Sequence, residues 1–151
     1  MAMLIKENKG EARIQPVEPK RRQPSHPTAE TVAFDTNMLL NIERFNVDIF
    51  REARGMIGRV EFVVPAEVVR EMDSLAKKGK ILGKEVKIAK MSMESNGAKV
   101  VDFGQKSGDL ALLKMAPKAI IGTNDKELKD SVRELNGRLL ILRRRKFLEF
   151  D

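Results

Sequence analysis

An α/β fold, with a central and mostly parallel sheet of about five strands and helices on both faces, is predicted by three observations. Short apolar runs of strand length alternate with stretches of helical spacing along residues 31–151. Those runs are continuously apolar rather than alternating, as strands covered on both faces are. Polar turn residues close most of them, and the order strand, helix, strand favours parallel neighbours joined by crossover helices, which gives three layers.

Residues 1–30 precede this pattern. They hold Pro16, Pro19, Pro24 and Pro27, four of the chain's six prolines, with the basic run Lys20-Arg21-Arg22. Prolines remove backbone donors and disfavour helix, so a flexible, Pro-rich basic tail is expected. Thr31-Val32-Ala33-Phe34 is then a buried strand that ends at Asp35. Met38 to Arg44 and Asp48 to Ile57 repeat apolar residues at helical spacing. Val60 to Val64 is a second strand, and Pro65 suits the first turn of the helix after it. That helix carries Val68, Val69, Met72 and Leu75 on one face, and Gly83 to Met93 forms another.

Asn96-Gly97 turns the chain into a third strand, Lys99 to Phe103. Ser107 can cap a helix over Gly108 to Met115. Lys118 to Gly122 is a fourth strand, followed through Thr123-Asn124-Asp125 by a helix to about Leu135. Asn136-Gly137 introduces the fifth strand, Arg138 to Leu142.

Composition narrows the chemistry. There is no cysteine, so disulfides, thiolate metal sites and cysteine nucleophiles are excluded, and a reducing cytoplasm is the expected location. The single histidine, His26, stands in the Pro-rich stretch, which disfavours histidine catalysis. Twenty-nine Lys and Arg against 22 Asp and Glu give a net charge of +7, which favours polyanionic partners such as RNA. Tyr and Trp are absent, so a base-stacking platform is poorly supported. No apolar run reaches the roughly 20 residues of a membrane span, and the N-terminus is expected not to be a signal peptide.

In a parallel sheet, ligands bind beyond the carboxyl ends of the strands. Asp35 and Asp125 directly follow the first and fourth strands, and Asp109 opens the helix after the third. Glu71 lies in the helix after the second, and Glu127 is a fifth acid nearby. Each has a plainer use: Asp35 and Asp125 as helix caps, Asp109 as a partner of the helix dipole, Glu71 as a surface residue. Glu67, one turn before Glu71, shares its face and competes with it. Gathered together, four carboxylates repel unless a hard cation joins them, and Mg²⁺ or Mn²⁺ prefers oxygen ligands. One or two such ions support phosphodiester hydrolysis without histidine or cysteine.

With these residues in view, residues 31 to about 150 resemble the PIN domain family. Val32-Ala33-Phe34-Asp35-Thr36-Asn37 is similar to its opening strand, and Val63 to Met72 to its second motif, closed by Glu71. Gly108-Asp109-Leu110-Ala111-Leu112 and Thr123-Asn124-Asp125-Lys126-Glu127-Leu128 are similar to the third and fourth. The resemblance implies a PIN-like sandwich and a Mg- or Mn-dependent ribonuclease, with Asp35, Glu71, Asp109 and Asp125 as catalytic metal ligands. Asn37, Thr123, Asn124 and Glu127 would support them through hydrogen bonds and charge. One departure is Gly108, where many relatives carry another acid.

The ending, Leu142-Arg143-Arg144-Arg145-Lys146-Phe147-Leu148-Glu149, looks like that of the archaeal and eukaryotic branch with rRNA-processing nucleases. Arg143, Arg144, Arg145 and Lys146 are expected to contact RNA phosphates. An rRNA-processing endoribonuclease is therefore expected, with a VapC-type toxin or a non-catalytic RNA-binding or ribosome-assembly factor as alternatives. The resemblance also allows a homodimer. A phosphorylated receiver domain fits less well, because Asp35 is followed by Thr36-Asn37 rather than paired with acids. A Rossmann domain lacks its Gly-rich loop here.

Overall fold

The computed structural model describes residues 5–7, 11–13 and 28–151. Most of the expected tail therefore lies outside the described residues, Lys20-Arg21-Arg22 included. Within it, β1 (Ile5–Glu7) and β2 (Glu11–Arg13) pair antiparallel. From Glu30 onward, strands and helices alternate. They run β3 (Glu30–Phe34), α1 (Thr36–Arg44), α2 (Ile49–Ile57), β4 (Val60–Pro65), α3 (Ala66–Ala76), α4 (Lys80–Ser95) and β5 (Lys99–Val101). Then follow α5 (Gly108–Met115), β6 (Ile120–Gly122), α6 (Lys126–Glu134), β7 (Arg138–Arg143) and β8 (Phe147–Phe150).

Six strands form one sheet in the order β5-β4-β3-β6-β7-β8. All neighbours are parallel except β7 and β8, which run antiparallel with Arg143 opposite Phe147. The expected mostly parallel α/β sandwich is the observed one, and β8 adds a strand to it. The chain leaves β3 toward β4 on one side, whereas β6 lies on the other. The carboxyl ends of β3 and β6 therefore flank a topological switch point, where a crevice opens in sheets of this kind.

Burial explains the strands. Val32, Ala33, Phe34, Ile120, Ile121 and Leu140 are all at most 1% exposed, as expected of strands covered on both faces. Phe50 packs edge-on against Phe34 and Phe62, with ring centres 5.5 Å and 4.7 Å away. Beside them Gly122 is needed for packing, because a Cβ there would collide with the Phe34 ring.

The helices begin where short polar side chains can take orphan amides. Asp35, Asp48, Ser107 and Asp125 accept from Met38, Arg51, Leu110 and Leu128 N–H groups at 2.8–3.2 Å. Several boundaries differ from expectation: α1 starts at Thr36 rather than Met38, β5 ends at Val101 rather than Phe103, and β6 starts at Ile120 rather than Lys118. Pro65 ends β4 and precedes α3 rather than lying in its first turn. Helix α4 starts at Lys80, three residues earlier than the apolar spacing indicates, with Gly83 N–H bonded to Gly79 O at 2.9 Å. Among the described residues no helix is long and apolar enough to cross a membrane.

Candidate active site

Asp35 is 6% exposed at the carboxyl end of β3. One oxygen caps α1 by accepting from Met38 N–H at 2.8 Å, and the other accepts a short hydrogen bond from the Thr123 hydroxyl. Thr123, fully buried after β6, accepts in turn from Asp125 N–H at 2.9 Å. One hydroxyl thus links the acids that close β3 and β6, and the Asp35 N–H bonded to Gly122 O at 3.0 Å fastens the two strand ends together. Both Asp35 and Asp125 are helix caps, and the caps fix their side chains at the switch point.

Glu71 reaches the same edge from α3. Its Oε1 accepts from the Thr36 hydroxyl at 2.9 Å, and its Oε2 from Gly108 N–H at 2.9 Å. Gly108 lets it stand there, since a Cβ on residue 108 would lie 2.6 Å from Glu71 Oε1. The Glu71 carboxylate, arriving from α3, takes the space that a side chain on residue 108 would enter. Asp109, the next residue, is exposed in the first turn of α5.

The four acids feel one another. Burial pushes the Asp35 carboxyl up to about 6; the Thr123 and Met38 hydrogen bonds hold it down, while the Asp109 and Asp125 charges raise it further. Asp109 is exposed as a residue, yet its carboxyl is partly desolvated by its neighbours and is also raised, first by that desolvation and then by the Asp125, Glu71 and Glu127 charges. The fold therefore brings Asp35, Glu71, Asp109 and Asp125 to one neighbourhood, with exposed Glu127 at its edge.

The remaining expected residues are placed as follows. Asn124 uses both ends of its amide on the Leu142 backbone, at 2.9 Å and 2.7 Å, and so pins the loop after β6 to β7. Asn37 is exposed and accepts from Arg44 at 3.4 Å. Arg143 pairs with Glu149, and the Arg145 guanidinium lies 5.0 Å from the centre of the Phe45 ring. Among the described residues Arg144 and Lys146 have no carboxylate partner. Glu67 does not compete with Glu71. It is 3% exposed and holds the loop after β5, accepting from Gln105 N–H at 2.7 Å and Phe103 N–H at 3.4 Å.

Sequence reading missed Thr36 and the seat at Gly108. Thr36 carried a signal, a hydroxyl directly after Asp35, but its partner stands 35 positions away.

An all-oxygen set of mutually repelling carboxylates suits a hard divalent cation, and the donors on Asp35, Glu71 and Asp125 leave further carboxylate lone pairs for ligation. As the side chains stand, no three acids among the described residues are close enough to grip an ion together. Among the described residues Asp109 has no hydrogen-bond donor fixing its carboxylate, so its adjustment is the least costly way to close the set.

Comparison with known proteins agrees with this architecture. The chain is 28% identical over 120 residues to the protein named Ribonuclease VapC4 of Methanocaldococcus jannaschii, a match covering 76% of this chain and 92% of that one. The fold is similar to that of the PIN domain endonuclease Utp24, with a TM-score of 0.65, 17% identity, and 80% and 90% of the two chains covered. A domain of a functionally unknown protein from Methanocaldococcus jannaschii is similar at a TM-score of 0.53, 21% identity, and 76% and 91% coverage. The model of the PIN-like domain matches residues 32–145, from the first buried strand through the β7–β8 turn, and the chain belongs to that family.

Proposed function

We propose that this protein is a metal-dependent endoribonuclease. The observation that carries the reading is the Thr123 bridge, which sets Asp35 and Asp125 together at the switch point within electrostatic reach of Asp109. The relative named Ribonuclease VapC4 supports the same activity. Asp35, Asp109 and Asp125 would hold one or two Mg²⁺ or Mn²⁺ ions, with Glu71 as a further ligand or as the group that orients the attacking water. Such an ion, when bound, lowers the pKa of water and neutralises charge on the phosphate oxygens.

The chain's own residues do the positioning. Thr123 orients Asp35, Thr36 and Gly108 N–H orient Glu71, and the helix caps fix Asp35 and Asp125. Water adds to phosphorus, the bond from phosphorus to the 3′ oxygen breaks, and that oxygen takes a proton. The products are a 5′-phosphate and a 3′-hydroxyl. We assign the activity to RNA processing in the cytoplasm, ribosomal RNA foremost, on the resemblance of the Leu142 to Glu149 ending to the rRNA-processing branch and on the absence of cysteine.

A second reading, an RNA-binding or assembly factor without catalysis, is favoured by the spacing of the acids, no three of which share an ion position as they stand. A cleavage assay on structured and unstructured RNA separates the two. Wild type should cut with Mg²⁺ or Mn²⁺ and stop with EDTA, and Asp35→Asn should bind RNA without cutting it. Binding without cleavage by wild type in Mn²⁺ would establish the second reading.

A further inference from the structure

The acids do not account for the groove beside them. A cavity of about 540 Å³ opens next to Glu71, lined among others by Thr36, Asn37, Arg70, Ser74, Lys78 and Lys106. Arg70 and Ser74 are four apart on α3, and Lys78 follows four later, just past the helix end. Arg70 and Ser74 thus share one side of the helix, and Lys78 lines the same cavity from the turn that follows it. Lys106 faces them from the loop after β5, which the buried Glu67 carboxylate holds through Phe103 and Gln105. The cations here are available. Among the described residues Lys78 and Lys106 have no carboxylate partner, and Arg70 has only an exposed contact with Asp102 at 3.7 Å. The two glutamates in the wall are already committed, Glu67 to the loop and Glu71 to Thr36 and Gly108.

We propose that this groove is a subsite for single-stranded RNA, in which Arg70, Lys78 and Lys106 hold the phosphodiester chain on the β4–β5 side of the acids. The assignment rests on the ribonuclease reading and adds the path of the substrate. A cavity of this size takes a drug-sized molecule, hence one or two nucleotides of an open strand rather than an A-form helix. The groove is lined from α3, which follows β4, and from the loop after β5; the acids Asp35 and Asp125 follow β3 and β6, and the Arg143–Lys146 turn follows β7. A strand held at both flanks therefore crosses the carboxyl edge of the sheet, and its scissile phosphate passes the acids.

The test is binding of the full chain, in EDTA so that nothing is cut, to a fluorescein-labelled mixed-sequence RNA of about 12 nucleotides, followed by anisotropy across salt concentrations. Lys78→Ala combined with Lys106→Ala should weaken binding about 10-fold or more and reduce the slope of log affinity against log salt by roughly 1.4, two single-strand phosphate contacts. Lys118→Ala, at the amino edge of the sheet before β6, is the control and should change neither. Circular dichroism of the exposed-lysine variants checks the fold. A double variant indistinguishable from the control overturns the subsite, as does tighter binding of a blunt RNA duplex than of the single strand. Cleavage in Mn²⁺ is scored separately. Loss of binding in a chain whose wild type never cuts keeps the groove and removes the nuclease reading, whereas unchanged binding in a chain that cuts does the reverse.

Discussion

The backbone N–H of Gly108 donates to Glu71 Oε2 at 2.9 Å, and a Cβ on residue 108 would stand 2.6 Å from Glu71 Oε1 and 2.9 Å from Val68 Cγ2. An amide and an empty Cβ position together define where this carboxylate sits. Because Glu71 is the flexible partner, it yields before the backbone does.

Gly108→Ala should therefore move Glu71 more than it harms the fold. Alanine favours the helix over glycine, and the crowding against Val68 opposes that gain, so the melting temperature should change little. Cleavage should fall about 10-fold, and the Mn²⁺ concentration for half-maximal rate should rise, as when a group supporting a metal ligand is disturbed. An unchanged metal titration would show that Glu71 stays in place or does not matter.

Thr123→Val removes a hydroxyl that is fully buried and bonded at both sides, donating to Asp35 and accepting from Asp125 N–H at 2.9 Å. Valine keeps the shape and strands both partners. A destabilisation of about 1–3 kcal/mol is expected, together with a cleavage loss of about 10- to 100-fold. Thr123→Ser should restore most of the activity. Equal activity in the serine and valine variants would contradict a positioning role for the hydroxyl.

Asp35 makes the metal-free chain sensitive to pH. Its folded carboxyl titrates at about 6, raised mainly by burial, above its ordinary value of 3.8. Between those values the folded state binds more protons than the unfolded one, so this group favours folding at low pH and disfavours it as pH rises through about 6. In EDTA, wild type should lose stability relative to Asp35→Asn between pH 5 and pH 7. The variant can still cap α1, because asparagine serves as an N-cap about as well as aspartate. Parallel melting curves for the two proteins across that range would contradict the assignment.

Local signals made much of this legible in the sequence. Asp35 and Asp125 stand directly after apolar runs, and Ser107 precedes an apolar helix, so strand ends, caps and the acidic edge could be read together. Less legible were features whose partners lie far along the chain. Glu67 finds Gln105 38 positions away, and Asn124 finds Leu142 18 positions away. No local spacing distinguishes Glu67, which fixes a loop, from Glu71, which faces the acids one turn later. Strand β8 was hidden for another reason. Hairpins are announced by Gly or Asn where φ must be positive, and here the turn is made of arginines.

That turn makes the last prediction. Arg144 and Arg145 have φ of 55° and 59°, and Lys146 N–H bonds to Arg143 O at 3.0 Å, the positive-φ pattern of a type I′ turn. Left-handed backbone costs an L-residue roughly 1–2 kcal/mol, so two arginines are held where Asn-Gly would be at ease. Replacing them, Arg144→Asn with Arg145→Gly, forgoes the Arg145–Phe45 contact, worth about 0.5–1 kcal/mol at an exposed site. Relief of backbone strain should exceed that loss by about 1 kcal/mol, raising the melting temperature by roughly 2–4 °C in a chain of this size. RNA affinity should fall and its salt slope should flatten, because two cations leave the β7 side of the acids. A lower melting temperature would show that the arginines are not strained. Undiminished affinity would mean that RNA does not reach this turn, leaving the groove beside α3 as the flank that holds the strand.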